Sequence, residues 1–199
     1  MTLDDIDELE FEAARTGDYV AVAERLEWLA DTAGDVGDDA VSRAELLMRA
    51  GAQWQLANRP ERAAEQYRRA LDDGGRTAVD PRAYLADALF DLSREGEARR
   101  LIAQIRAEGP TDPELHNFLA ETLEAQRDLE GAHEWATAGL ELVRGPGQAP
   151  WGLLDSLLRA RYRVRREMRL PEDEHDLMLD AMLDEEDRQA RPGDGDRAV

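Results

Sequence analysis

The sequence predicts an all-α protein: an antiparallel helix-pair solenoid of about four repeats, closed by C-terminal capping helices. Three observations carry this expectation. Ala63, Ala98 and Ala132 recur 35 and 34 residues apart in similar apolar contexts, and a fixed period of this size marks stacked two-helix repeats. Within each period the apolar and small residues fall at helical spacing. Glycines and prolines then punctuate the pattern at Gly34, Gly74-Gly75, Gly109-Pro110 and Gly145-Pro146-Gly147, as helix stops do.

The first unit is degenerate. Leu9 and Ala13 mark one helix, Gly17-Asp18-Tyr19 a turn, and Val22, Leu26 and Leu29 a second helix. An insertion near residues 31–40 delays the next unit. The segment Ala44–Gly75 is the clearest. Leu47, Ala50, Gly51 and Trp54 share its first helix, and Ala63, Tyr67, Ala70 and Leu71 its second. Leu85, Ala86 and Leu89, then Ala98, Ile102 and Ile105, form the third unit. Leu119, Ala120 and Leu123, then Ala132, Ala136 and Gly139, form the fourth. Gly51, Ala86 and Ala120 are expected where two backbones approach closely. Asp80-Pro81 and Asp112-Pro113 read as N-cap plus first helical residue, and Ser42 with Glu45 as a capping box.

Two more helices are expected. Residues 150–169 place Trp151, Leu154, Leu157, Leu158, Val164 and Met168 on or near one face, as a capping helix would. Residues 171–190 form an acidic helix whose apolar stripe reads Leu177, Met178, Ala181 and Met182. The domain division is therefore 3–149 for the repeats, 150–190 for the capping and acidic helices, and 191–199 for a disordered tail.

The small, aromatic and apolar positions of the second unit, with the period of the marker alanines, resemble the tetratricopeptide repeat. The stretch Trp151–Arg169 is similar to a segment of actinobacterial tetratricopeptide proteins of unassigned function. The resemblance implies a helical protein–protein interaction scaffold whose first helices line a concave groove. It implies groove positions at Glu45, Met48, Ala52, Gln55 and Leu56, at Asp80, Ala83, Asp87, Phe90 and Asp91, and at Glu114, Asn117, Glu121, Glu124 and Ala125. Of these, Met48, Gln55, Asp87, Phe90, Asp91, Asn117, Glu121 and Glu124 are the candidate partner-binding residues. Relatives that clamp an acidic peptide use Lys, Arg and Asn at such positions; here only Asn117 fits. The expected partner is another protein, offering a basic or amphipathic peptide.

Composition narrows the function further. The chain of 199 residues carries 45 acids against 25 basic residues, all arginine, for a net charge of −20. The charge is −11 over residues 1–39, −5 over 40–149, +4 over 150–170 and −8 over 171–199. Such a surface repels nucleic acid and anionic membranes and attracts basic partners. Cysteine is absent, which excludes disulfides, thiolate metal sites and a cysteine nucleophile. The acidic N-terminal stretch is unlike a signal peptide, and no apolar run approaches the roughly 20 residues of a membrane span. The expected location is cytoplasmic.

Chemistry-bearing motifs are few. There is no G-x-S-x-G and no phosphate loop, so no catalytic residue and no cofactor is expected. Glu130 with His133 and Glu172 with His175 have the Glu-x-x-His spacing that di-iron helical bundles use, which makes a metal-binding helical enzyme one alternative. A surplus of glutamates makes such pairs common by chance, and neither is taken as a metal site. Arg159, Arg161, Arg163, Arg165, Arg166 and Arg169 crowd one segment. Arg159, Arg163 and Arg166 are the candidate phosphate-binding residues, with Tyr162 as a stacking partner, and they support a nucleic-acid binder as the other alternative. Against it, the acidic helix 171–190 is expected to fold back over this stripe and neutralise it.

Overall fold

A computed structural model describes residues 2–32, 41–143 and 152–190. The expected stops at Gly34 and Gly145-Pro146-Gly147, residue Trp151 and the tail 191–199 lie outside these residues. The described residues form ten helices and no strand. Ile6, Leu26, Leu47, Tyr67, Leu89, Ile105, Leu119, Leu140, Leu157 and Leu158 are among its fully buried side chains.

The chain divides into two compact units, residues 1–110 and 111–199. The first holds three helix pairs: α1 (Leu3–Thr16) with α2 (Tyr19–Thr32), α3 (Arg43–Leu56) with α4 (Pro60–Asp73), and α5 (Pro81–Asp91) with α6 (Glu95–Glu108). Successive helices pack on one another, and α3 also touches α5. The second unit holds the pair α7 (Pro113–Ala125) and α8 (Leu129–Leu142), then α9 (Leu153–Met168) and α10 (Glu174–Ala190). There α9 packs on both α7 and α8.

The sequence explains how the pairs close. Asp80 and Asp112 accept from the amides of Arg82 and Glu114 ahead of Pro81 and Pro113, as the N-cap reading expected. The capping box at Ser42 is only half made. Ser42 Oγ accepts from the Glu45 amide, but the Glu45 carboxylate turns away to accept from the Ala78 amide at 2.9 Å and from Arg49 at 3.0 Å. Glu45 is buried, so its charge is matched by these two donors instead of by the helix end.

Each first helix ends in the same way. Asn58, Ser93 and Arg127 adopt positive φ, as Gly17 does after α1. The next amide reaches back five residues: Arg59 to the Trp54 carbonyl, Arg94 to Leu89 and Asp128 to Leu123. This is the Schellman closure, here built three times on residues that carry a Cβ. Gly51 lies where α3 meets α4; a Cβ there would stand 2.3 Å from Tyr67 Cε1. The close approach expected at Gly51 is thus made onto an aromatic ring.

One expectation is corrected. The stripe Leu177, Met178, Ala181 and Met182 was to dock α10, yet Leu177 and Met178 are 60% and 46% exposed. Leu179 is the buried residue, and Met182 and Leu183 pack with it against Leu153, Leu157 and Leu158. The docked face of α10 runs through His175, Asp176, Leu179, Met182 and Leu183, and its first two members are polar and buried.

Candidate partner-binding faces

The first helices of unit 1 are tied side by side by polar contacts. Arg49 of α3 reaches Asp7 and Glu10 of α1 at 3.0 and 2.5 Å. Gln55 of α3 donates from Nε2 to Asp87 at 2.8 Å and to Asp91 at 3.4 Å, both on α5. Its Oε1 accepts from the Tyr67 hydroxyl at 2.7 Å. Burial, reinforced by Tyr84, Asp87 and Asp91, holds the Tyr67 hydroxyl well above its usual pKa, so it stays protonated and donates. This chain fixes the Gln55 amide and points its donor end at both carboxylates.

The remaining candidates in this unit differ in what they expose. Met48 and Phe90 are each 6% exposed and fill space between helices, with Arg99 lying 5.9 Å from the Phe90 ring. The apolar surface on these helices comes instead from Leu56, 59% exposed, and Phe11, 72% exposed. Phe11 had no place in the sequence-based set, although a signal existed. It stands six residues before Gly17, as Ala52 stands before Asn58 and Asp87 before Ser93.

In unit 2, Glu121 is exposed and Asn117 is half-buried, its Oδ1 shielded from solvent with no hydrogen-bond partner among the described residues. Glu124 is engaged. Arg163 of α9 donates Nε to its Oε1 at 2.9 Å and Nη2 to its Oε2 at 2.8 Å. The contact raises the pKa of Arg163, first through this hydrogen bond. One candidate groove residue and one candidate phosphate ligand are therefore the two halves of one ion pair.

The arginine segment splits into two sets. Arg161 and Arg165 are buried and pair with Asp173 and Asp176 at the start of α10, at 2.6 to 3.7 Å. The hydrogen bond from Arg161 holds the Asp173 carboxyl well below the usual range. Arg161 also donates to Thr137 of α8, and Arg165 to the Pro171 carbonyl. Arg159, Arg163 and Arg166 lie on the outer face. Arg159 pairs with Asp155 at 2.7 Å and more loosely with Glu186 at 3.5 Å, and Arg166 lies over the Tyr162 ring at 5.8 Å.

The two Glu-x-x-His pairs are not brought together as a metal cluster among the described residues. His133 faces Arg165 at 3.4 Å. Burial, then the Arg161 and Arg165 charges, lowers its pKa, and the same positive charges oppose a cation. No helix among the described residues is long and apolar enough to cross a membrane.

Comparison with known proteins agrees with the helical-repeat fold. Residues 56–122 match the family described as tetratricopeptide repeat, a span running from the end of α3 into α7. Over this span the chain carries tetratricopeptide repeats. Among solved structures, this repeat protein is similar to a crystal structure of MamA, with a TM-score of 0.56, 14% identity, and 90% of this chain and 95% of that one covered. A second structure, of MamA AMB-1, gives a TM-score of 0.45 and 15% identity over 95% of this chain and 92% of that one. The likeness to the first is one of fold. No curated protein sequence matches the repeat protein.

Proposed function

We propose that this protein is a non-catalytic interaction scaffold, and that the α3–α5 face binds a basic or amphipathic segment of another protein. The observation that carries the reading is the Gln55 bridge. It holds Asp87 and Asp91, one helical turn apart on α5, beside each other with a neutral partner. The Gln55 donor orients the two carboxylates side by side, so a Lys or Arg from a partner meets two acceptors already in place. Exposed Leu56, adjacent to Gln55 in the chain, and Phe11 supply apolar surface on neighbouring first helices of the unit. Large exposed apolar groups beside fixed charge suit an amphipathic partner.

The test is a titration of the full chain with a fluorescent amphipathic Leu/Lys peptide. Binding weakens as salt rises, and Asp87→Lys with Asp91→Lys abolishes it while circular dichroism stays helical. Unchanged binding by that variant, or preference for a scrambled peptide of equal charge over the amphipathic one, defeats the reading.

A further inference from the structure

Counting back from the left-handed residue that closes each first helix sets a common register. Three, six and ten residues before Asn58 stand Gln55, Ala52 and Met48; before Ser93 stand Phe90, Asp87 and Ala83; before Arg127 stand Glu124, Glu121 and Asn117. Helix α9 ends in the same way. Arg169 has positive φ, and the Leu170 amide reaches the Arg165 carbonyl at 3.1 Å as Arg59 reaches Trp54. Three, six and ten residues before Arg169 stand Arg166, Arg163 and Arg159.

The cross-helix contact has the same register. Gln55 of α3, three before its closing residue, bonds Asp87 of α5, six before its own. Glu124 of α7, three before Arg127, bonds Arg163 of α9, six before Arg169. The sequence separations are 32 and 39 residues, and the seven additional residues explain why the repeat period lost sight of α9. Thus α9 takes the place that a following unit's first helix would take beside α7, and its outer arginines occupy the register of the candidate partner-binding residues.

We propose that Arg159, Arg163 and Arg166 on α9 form, in unit 2, a binding face for an acidic peptide segment, and that Glu124 occupies its central arginine until that segment displaces it. Three arginines on one face of a helix offer forked donors that match carboxylates two at a time. Arg163 already grips a carboxylate in this two-pronged manner, and Arg127, in the turn after α7, pairs with Glu167 of α9 at 2.5 Å. The Arg163 side chain is half exposed, so a ligand carboxylate reaches it without unfolding the helix. An acidic peptide is favoured over nucleic acid because the anion that Arg163 already takes, in the two-pronged geometry, is the side-chain carboxylate of Glu124. This face is distinct from the Asp87–Asp91 face, and the two take ligands of opposite charge.

The experiment measures fluorescence anisotropy of labelled octaglutamate with the full chain at low salt, with an eight-residue oligouridylate in parallel. Arg163→Gln and Arg166→Gln are expected to weaken octaglutamate binding by about tenfold each. Glu124→Gln is expected to tighten it several-fold, because it frees Arg163. Glu130→Gln on α8 changes the net charge equally and is expected to leave affinity nearly unaltered. Four results overturn the proposal: octaglutamate fails to bind the Glu124→Gln chain; the arginine variants bind as well as the parent; Glu124→Gln tightens binding no more than Glu130→Gln; or oligouridylate binds more tightly than octaglutamate. Helical circular dichroism of each variant excludes unfolding as the cause of a loss.

Discussion

Arg163 and Glu124, 39 residues apart, meet in a two-pronged ion pair that joins α9 to α7 on a solvent-facing surface. Water screens such a pair, and ordering two long side chains offsets much of the gain, so pairs of this kind contribute about 0–1 kcal/mol. A double-mutant cycle with Arg163→Gln and Glu124→Gln, read by urea denaturation, should return a coupling within that range. A coupling of several kcal/mol would make the pair part of the core and leave no room for its exchange with a ligand.

Tight packing predicts the opposite outcome at Gly51. The α3–α4 approach leaves a gap that the Tyr67 ring fills, and even a Cβ would lie 2.3 Å from that ring. Gly51→Leu should destabilise unit 1 by about 1–3 kcal/mol through overpacking. Adding Tyr67→Ala should recover part of this loss, although the Tyr67 variant alone is also destabilising because it leaves a cavity. Purely additive losses in thermal denaturation would show that the two residues do not share the space.

The three closures of the first helices place Asn58, Ser93 and Arg127 at φ of 56°, 57° and 63°. A Cβ is strained in this region, and Asn tolerates it better than Ser or Arg. Ser93→Gly and Arg127→Gly should therefore raise stability by up to about 1 kcal/mol, and Asn58→Gly by less. The order of the three midpoints in a denaturant series is the test.

The ion network under α10 should make unit 2 sensitive to acid. The Asp173 carboxyl has its pKa lowered, mainly by its hydrogen bond from Arg161, from an ordinary value of 3.8. Its contribution is complete above that ordinary value and is lost as pH falls toward the depressed one. His133 is also depressed, through burial and then Arg161 and Arg165, from an ordinary value of 6.5. Its contribution is complete above that value and declines as pH falls below it. Both signs agree, so stability should fall between neutral pH and pH 3, with His133→Gln flattening the upper part of the limb and Asp173→Asn the lower. Removing Asp176, which is buried against Arg161 and Arg165, leaves buried positive charge and should cost about 3–5 kcal/mol.

How much of this was legible in the sequence depends on which physical signal each residue emits. Ala63, Ala98 and Ala132 recur at a nearly fixed period and are all buried, so the helix pairs could be read directly. Leu56 and Phe90 look alike as apolar residues at groove positions, yet one is exposed and the other buried, because burial depends on the neighbouring helix. The role of α9 was hidden by the longer connection before it. The local turn at Arg169 that sets its register carries no glycine to announce it.

The rotation of α10 was hidden for a different reason, and it yields the last prediction. Hydrophobic periodicity gave the stripe Leu177, Met178, Ala181 and Met182, but the buried face begins with His175 and Asp176. Those residues are polar, so they do not register in an apolar count. Asp176 nonetheless sits between the buried Arg161 and Arg165, and this ionic contact fixes the rotation of the helix before its apolar residues are considered. Leu179, one turn later on the same face, then falls among Leu153, Leu157 and Leu158, while Leu177 turns to solvent. Leu179→Ala should cost about 2–5 kcal/mol, because it removes buried methyl groups and leaves a cavity. Leu177→Ala should stay within about 0.5 kcal/mol of the parent, as exposed substitutions do. The comparison requires only thermal melts of the two variants, and equal losses at both positions would place α10 in the rotation that the apolar stripe alone demands.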